Sequence, residues 1–277
     1  MASNDRGIDL RHVMKLPPPE AVDYFEQKGV TVADDWRRMS EEARENAFTV
    51  SGVAKLEVLQ TIRDEMLESI AGNVPLPEFN KKIIPILQQT GWWGDTLDEE
   101  TGEITRHGNP FRLRLIYQQN LQSSFMAGRR ARQRESAGEY PYWMYVSVAD
   151  SRTRPHHLTL HGRVFRHDDP FYQYFYPPNG FLCRCRVRAM PESRVGAGKG
   201  RFPLSDSRDR LSVIEVPVSK EKPELGVAKV GRFEHAPGKY LETDPGFAQP
   251  PGKRWSPNLD KYDDALVRRY LNDIANQ

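Results

Sequence analysis

The chain has 277 residues and a mass of 31.9 kDa, of which 38% are hydrophobic, 10% aromatic and 28% charged. This aromatic content excludes a disordered chain, and a net charge of +2 excludes a uniformly basic protein while leaving room for local basic patches. No run of about 18 apolar residues is present and the first residues are polar, so we expect neither a membrane span nor a secretory signal. Two cysteines are too few for a disulfide framework, which predicts folding in a reducing cytosol.

The first half of the chain is predicted to be helical. Pro19 and Gly29 enclose an apolar segment and are typical residues for the start of a helix and the position after its end. Apolar residues at spacings of three and four predict an amphipathic helix over residues 53–72. A further short helix begins near Pro77, and Pro85 within it is expected to kink or split it.

A long helix is predicted after a polar loop that covers residues 95–107. Asn109 followed by Pro110 is a typical helix start, and apolar residues recur behind it every four positions. Cationic residues in the last turns suit the negative end of the helix dipole. Four arginines exceed that need, so they form a candidate basic surface: Arg129, Arg130, Arg132 and Arg134.

Strands are predicted in the middle of the chain. Residues 142–148 are aromatic and β-branched, and residues 163–165 and 183–189 are further candidate strands. In the third strand, arginines alternate with small or apolar residues, so the two sets are expected on opposite faces. One face carries Cys183, Cys185, Val187 and Ala189, and the other carries Arg184, Arg186 and Arg188.

The last part of the chain, residues 191–277, is rich in Gly, Pro, Ser and charge and is predicted to be an extended tail that needs a neighbour to pack on. Within it, residues 211–217 are a candidate strand and residues 260–274 a candidate terminal helix. The predicted fold is therefore α+β, with a helical region over residues 1–138 and a small α+β domain over residues 139–190 ahead of the tail.

Histidines and both cysteines cluster between residues 150 and 185. Thiolate and imidazole are the ligands that zinc prefers, and His157 and His161 are spaced to share one face of a helical turn. Together with Cys183 and Cys185 they form a candidate Cys₂His₂ zinc site. A single residue between the cysteines is unusual for finger-type sites, and the alternative is that both cysteines are small buried hydrophobic residues.

The same region also offers the residue types of a nuclease or of a cysteine nucleophile. One imidazole would act as base, another as acid, and arginine would stabilise the phosphate. The sequence contains no Gly-x-Ser-x-Gly, no phosphate loop and no His-Glu-x-x-His, so no catalytic residue is assigned. Instead, we expect Asp150, Arg152 and Arg154 to cap a tight turn, and His157 to hydrogen-bond across it ahead of Gly162.

The two rows of arginines, 129–134 and 184–188, are candidate contacts with phosphates or with an acidic protein surface. Tyr172, Tyr174 and Tyr176 lie near the second row as candidate stacking groups. The alternative for both rows is a solvated charged surface.

Three sequence blocks in this region resemble the phage Mu F-like minor head protein family. They are Asp150-x-Arg152-x-Arg154-Pro155-x-His157-x-x-x-x-Gly162, then Asp168-Asp169-Pro170-Phe171, then Pro177-Pro178-Asn179-Gly180-Phe181-x-Cys183-Arg184-Cys185-Arg186-Val187. Segments 18–29, 91–93, 112–121 and 244–248 are also similar to family members. His157, Gly162, Cys183 and Cys185 are positions of the family pattern.

The resemblance implies that residues 139–190 are a head-morphogenesis domain and that the protein is a minor capsid or head completion protein of a tailed bacteriophage or prophage. The expected partners are the portal protein, the major capsid or scaffold protein and packaged DNA, with no membrane. The expected location is the capsid interior or the portal vertex, after assembly in the bacterial cytoplasm. Two alternatives stay open, a metal- or histidine-dependent nuclease and a DNA-binding adaptor, each acting in packaging or ejection.

Overall fold

The structure, a computed structural model, describes residues 19–33, 35–53, 55–97, 99–102, 104–255, 263–265 and 267–268. Its helices are α1 (Pro19–Glu26), α2 (Glu41–Asn46), α3 (Leu56–Gly72), α4 (Leu76–Gln89), α5 (Pro110–Glu135), α6 (Pro155–Thr159) and α7 (Phe171–Tyr174). Its strands are β1 (Gly29–Val30), β2 (Ala47–Phe48), β3 (Asp95–Leu97), β4 (Ile104–Arg106), β5 (Tyr142–Val146), β6 (Val164–Arg166), β7 (Arg186–Met190), β8 (Leu211–Pro217), β9 (Val227–Ala236) and β10 (Lys239–Glu242). This mixture of helices and small sheets confirms the predicted α+β class. Within the described residues, no helix has the length and apolar character needed to span a membrane.

Helices α1, α3, α4 and α5 pack around a largely aliphatic core. Side chains spaced by three and four residues along α3 and α4 supply most of it, as the periodicity predicts. The start of α5 is also as predicted, because the side chain of Asn109 accepts a hydrogen bond of 2.9 Å from the backbone N–H of Arg112. The fully buried members of this helical core include Phe25, Leu59, Ile62, Met66, Ile70, Phe79, Ile83, Leu87 and Leu113.

Two predictions for this half of the chain are wrong. Pro85 does not split α4, because the helix continues on both sides of this residue. Pro85 lies on the exposed side of the helix. Water can therefore satisfy the backbone carbonyl that the missing N–H of proline leaves free. Residues 95–107 are not a simple loop but contain the antiparallel hairpin β3–β4. Its cross-strand pairs include Thr96 with Thr105 and Leu97 with Ile104, which favour strand pairing although the segment is polar and exposed.

The predicted middle strands form one antiparallel sheet in the order β6-β5-β7. The third strand starts later than predicted, at Arg186, so Cys183 and Cys185 lie in the loop that leads into it. The turn before them continues to Cys183, whose N–H donates to the carbonyl of Gly180 at 3.2 Å. The predicted alternation nevertheless holds in burial, because Cys183, Cys185 and Val187 are buried and Arg186 and Arg188 are exposed.

The prediction of an extended tail is wrong for its described residues. The predicted strand at residues 211–217 is confirmed as β8, and it joins β9 and β10 in an antiparallel sheet of order β10-β9-β8. Phe233 of β9 and Leu241 of β10 are buried in an aromatic core with Phe165 and Phe171. The tail therefore packs on the preceding domain of the same chain, because it supplies apolar side chains that this domain needs.

Further along, the tail returns to the helical region. The ring of Trp255 packs edge-to-face against Tyr24 of α1, with ring centroids 6.3 Å apart. The side chain of Arg130 in α5 donates to the carbonyl of Gly252 at 3.2 Å. Tyr262, Leu266, Tyr270 and Leu271, which define the predicted terminal helix, lie outside the described residues.

Candidate metal centre and its surrounding motif

His157, Cys183 and Cys185 converge in the interior of the motif domain. Pro155 begins α6 and places His157 on its buried side, while the loop before β7 supplies the cysteines. Each cysteine Sγ lies 3.6 Å from Nδ1 of His157, and the three atoms lie within 4.8 Å of one another. The side chains are only 2–6% exposed. In the part of the chain that the structure describes, no other group of three such residues has metal-binding geometry.

Tyr145 and Asn179 surround the two sulfurs. The hydroxyl of Tyr145, fully buried on β5, accepts a hydrogen bond of 3.1 Å from the Asn179 side chain. Hydrogen bonds with Cys185 and His157 hold the pKa of Cys183 well below its ordinary value, and the Cys183 contact together with burial raises the pKa of Cys185.

His161 does not join this cluster, so the structure does not bring the predicted four-residue set together. Helix α6 ends at Thr159, and His161 lies past its end instead of one turn above His157. Its exposed ring places Nδ1 3.2 Å from the backbone N and from Oγ of Ser147. The neighbouring His156 packs edge-to-face on His157 at 4.5 Å between ring centroids, and partial burial lowers its pKa.

Asp150 organises the turn that precedes α6. One carboxylate oxygen accepts hydrogen bonds from the backbone N–H of Arg152 at 3.1 Å and from the Thr153 hydroxyl at 3.2 Å. The guanidinium of Arg184 binds both carboxylate oxygens, at 2.7 and 2.5 Å, and this contact holds the pKa of Asp150 far below its ordinary value. Arg184 is predicted to belong to an exposed basic row, but in the structure it forms an ion pair with Asp150 of the same chain.

Arg154 joins the same turn to the tail. Its guanidinium donates to the carboxylate of Asp244 at 2.6 Å and to the carbonyl of Phe181 at 2.9 Å. The backbone N–H of Asp244 donates to the carbonyl of Asn179 at 3.0 Å. A side chain at Gly180 would meet the Asp244 carboxylate and the Arg154 guanidinium, so it would fit only if these two side chains moved.

Asp244 is not among the residues that the sequence predicts to be functional. The only sequence signal for it is its position in segment 244–248, one of the segments that resemble the family. Phe247 of that segment packs edge-to-face on Phe181 at 5.0 Å, and Phe181 packs in the same way on Trp36 at 5.1 Å. The segment thus links the motif domain to the helical region.

Gly162 closes the turn after α6. Its φ of 79° lies in the left-handed region that disfavours other residues, and its N–H donates to the carbonyl of Tyr145 at 2.9 Å. Glycine at this family-pattern position is therefore explained by backbone geometry.

Some arginines of the two predicted basic rows bind other residues of the chain, and most of the arginines in these rows are exposed. Arg130 donates to Gly252, and Arg132 pairs with Glu20 at 2.8 Å. The predicted stacking residues Tyr172 and Tyr176 are buried, with their hydroxyls donating to the Trp143 carbonyl and to the Gln133 side chain. The exposed members of the two rows are Arg129, Arg132, Arg134, Arg186 and Arg188, of which Arg132 is the one paired with Glu20.

The sequence around this motif is similar to that of known phage proteins. Residues 81–188 match a family described as Phage Mu protein F like protein. The chain is 42% identical over 191 residues to a protein F of Escherichia phage Mu, whose name assigns it to capsid assembly. The aligned region covers 68% of this chain and 44% of that protein. The chain is 40% identical over 209 residues to the Mu-like prophage FluMu F protein of Haemophilus influenzae, covering 71% and 50% of the two chains. The chain thus spans about half the length of the curated relatives it matches, and no solved structure matches it.

Proposed function

The chain belongs, through residues 81–188, to the Phage Mu protein F-like family, and from this premise we propose that it is a structural protein of head assembly in a tailed phage or prophage. Its place is the virion, in the capsid interior or at the portal vertex. The similarity to a protein of phage Mu that is named for capsid assembly supports this proposal.

The observation that favours a structural over a catalytic role is how the motif uses its side chains. Asp150 binds Arg184, and Arg154 binds Asp244, so these charges connect separate segments of the chain. His157 is 3% exposed and faces the two cysteines, while His161 contacts Ser147. A phosphodiester can reach the exposed His161 but not the buried His157, so this pair cannot supply both a base and an acid. The nuclease alternative therefore has less support than the assembly role.

The surface proposed to bind the portal is basic. Arg186 and Arg188 point outward from β7, and α5 runs beside this strand because the Gln133 side chain donates to the carbonyl of Val187 at 3.0 Å. Arg129 and Arg134 of the same helix are also exposed. Such a surface suits an acidic patch on a portal, major capsid or scaffold protein, and also the phosphates of packaged DNA.

The proposal is tested by a pull-down of the full chain against purified portal, scaffold and major capsid proteins across a salt series. We expect the portal to be retained at low salt and to dissociate as salt rises, because exposed charges are screened. The double variant Arg186→Glu/Arg188→Glu should lose this retention. Lys229→Glu/Lys239→Glu makes the same charge change on the exposed side of β9 and β10 and should keep it.

Two outcomes would contradict the proposal. If none of the three head proteins retains the wild-type chain at any salt concentration, the assembly role is wrong. If the chain instead shifts duplex DNA with a steep dependence on salt and retains no head protein, the DNA-binding adaptor is the correct function.

A further inference from the structure

We propose that His157, Cys183 and Cys185 bind one zinc ion, with a water molecule in the fourth coordination position. The ion joins α6 to the loop that enters β7, two segments that are separated by 25 residues or more in sequence. The site is proposed to be structural, because its three protein ligands are buried.

The distances between the three ligand atoms fit a tetrahedral ion. Zinc lies about 2.3 Å from thiolate sulfur and about 2.0 Å from imidazole nitrogen, so a tetrahedral angle separates sulfur and nitrogen by about 3.5 Å. Nδ1 of His157 lies 3.6 Å from Sγ of Cys183 and also 3.6 Å from Sγ of Cys185. A single N–H on this nitrogen points at one sulfur and cannot serve both with good geometry, whereas an ion between the three atoms accounts for both distances.

Burial of His157 gives a second, independent argument. Its Nε2 atom is buried and has no hydrogen-bond partner among the described residues. The imidazole is therefore held only through Nδ1, and thiol sulfur is a weak acceptor. A buried polar ring held by so weak a contact is costly, and coordination of an ion at Nδ1 replaces that contact by a stronger one, while Nε2 has no partner among the described residues in either case.

The surroundings of the sulfurs suit bound thiolates. The Asn179 side chain donates to the Tyr145 hydroxyl at 3.1 Å, and both residues lie beside the sulfurs. Polar groups in such a position orient metal ligands and compensate their negative charge. Two thiolates with one imidazole favour zinc over magnesium or calcium, which prefer oxygen ligands.

The first experiment measures metal by mass spectrometry in full chain produced in zinc-supplemented medium and purified without chelator. We expect about one zinc per chain in the wild type and less than about 0.1 in Cys183→Ser, Cys185→Ser and His157→Asn. His161→Asn is the matched control, since this histidine is close in sequence but lies outside the cluster, and it should keep the full zinc content. Zinc that persists in the Cys183→Ser/Cys185→Ser double variant would overturn the proposal.

The second experiment uses only the wild type, so it holds even if the variants fail to fold. X-ray absorption at the zinc edge should give two sulfur ligands and two nitrogen or oxygen ligands. Removal of the ion by a strong chelator should lower Tm by about 5 °C or more, and Zn²⁺ but not Mg²⁺ should restore it. Wild-type protein that carries no zinc, or that joins Cys183 to Cys185 in a disulfide, contradicts the zinc site and leaves the assembly role to be judged by its own test.

Discussion

The helical core and the aromatic core of the motif domain are built in different ways. The helical core takes aliphatic side chains from neighbouring helices and lies within residues 25–117. The aromatic core extends from Met126 to Leu241 and combines the sheet β6-β5-β7 with rings from α7 and β9. The first is closed by segments that follow one another in sequence. The second is completed only when the tail returns, so the family motif is part of a larger unit than the small predicted domain.

Polar side chains connect segments in both regions. In the helical region, Asn109 and Lys28 satisfy backbone groups at the ends of elements, and Arg132 of α5 pairs with Glu20 of α1. In the motif domain, Arg154 reaches Asp244 across 90 positions of sequence. Charged pairs in the motif domain therefore connect distant segments, which is the use expected in a structural module.

The largest effect should come from removing the tail's contribution to the aromatic core. Phe233→Ala should lower the free energy of unfolding by about 3–5 kcal/mol, because a fully buried ring is lost and a cavity remains. Chemical denaturation of the full chain measures this change. Val213→Ala on exposed β8 is the control and should cost less than about 0.5 kcal/mol. Equal effects of the two substitutions would mean that the tail does not complete this core.

A smaller effect should follow from crowding the junction between motif and tail. Gly180→Ala should lower the free energy of unfolding by about 1–3 kcal/mol, because its methyl group would push Arg154 and Asp244 apart. Gly138→Ala has open space around it and should change stability by less than about 0.5 kcal/mol. If thermal unfolding shows no difference between the two variants, the Arg154–Asp244 contact does not form the junction described.

The Asp150–Arg184 pair predicts a specific dependence of stability on pH. The pKa of Asp150 is lower in the folded chain than in the unfolded one, so its contribution is present above the unfolded pKa of about 4 and is lost as pH falls towards the folded value. The wild type should therefore be more stable than Asp150→Asn at pH 7, and the difference in Tm should shrink below about pH 4. Arg188→Ala, which removes an exposed arginine on β7, should keep the wild-type pH profile. A difference in Tm that is constant from pH 7 to pH 3 would refute this interpretation.

The smallest effect on stability is expected on the exposed face of β7. Arg186→Glu and Arg188→Glu should each change the free energy of unfolding by less than about 0.5 kcal/mol, because both side chains are exposed. Arg184→Glu should cost more, since it places a second carboxylate against Asp150. Thermal melts of the three single variants give this ranking. An equal cost for all three would show that the Asp150–Arg184 pair adds nothing to stability.

The sequence predicts the helical region well because its signals are local. Apolar spacing along α3 and the Asn109 cap each lie within a few turns of chain. Strands β9 and β10 are missed because β9 carries Gly231 and charged residues between its buried positions, which hides the strand pattern. Only the partner sheet and the aromatic core make this segment a strand.

The sequence predicts the types of ligand in the candidate site but not which residues come together to form it. Cys183, Cys185 and His157 are identified because donor atoms of the right kind lie close in sequence. His161 was wrongly added because the sequence does not show that α6 ends at Thr159. Asp150 pairs with Arg184, and Arg154 pairs with Asp244. Both pairs form only when distant segments fold together, so no local sequence pattern predicts them.

The central claim, that this motif belongs to a structural component of phage heads, is tested most directly by quantitative mass spectrometry of purified procapsids and mature heads from the phage or prophage that encodes the chain. The account predicts peptides from both the helical region and the motif domain, in equal amounts, in procapsids and in mature heads. Absence of the chain from both kinds of particle would contradict it.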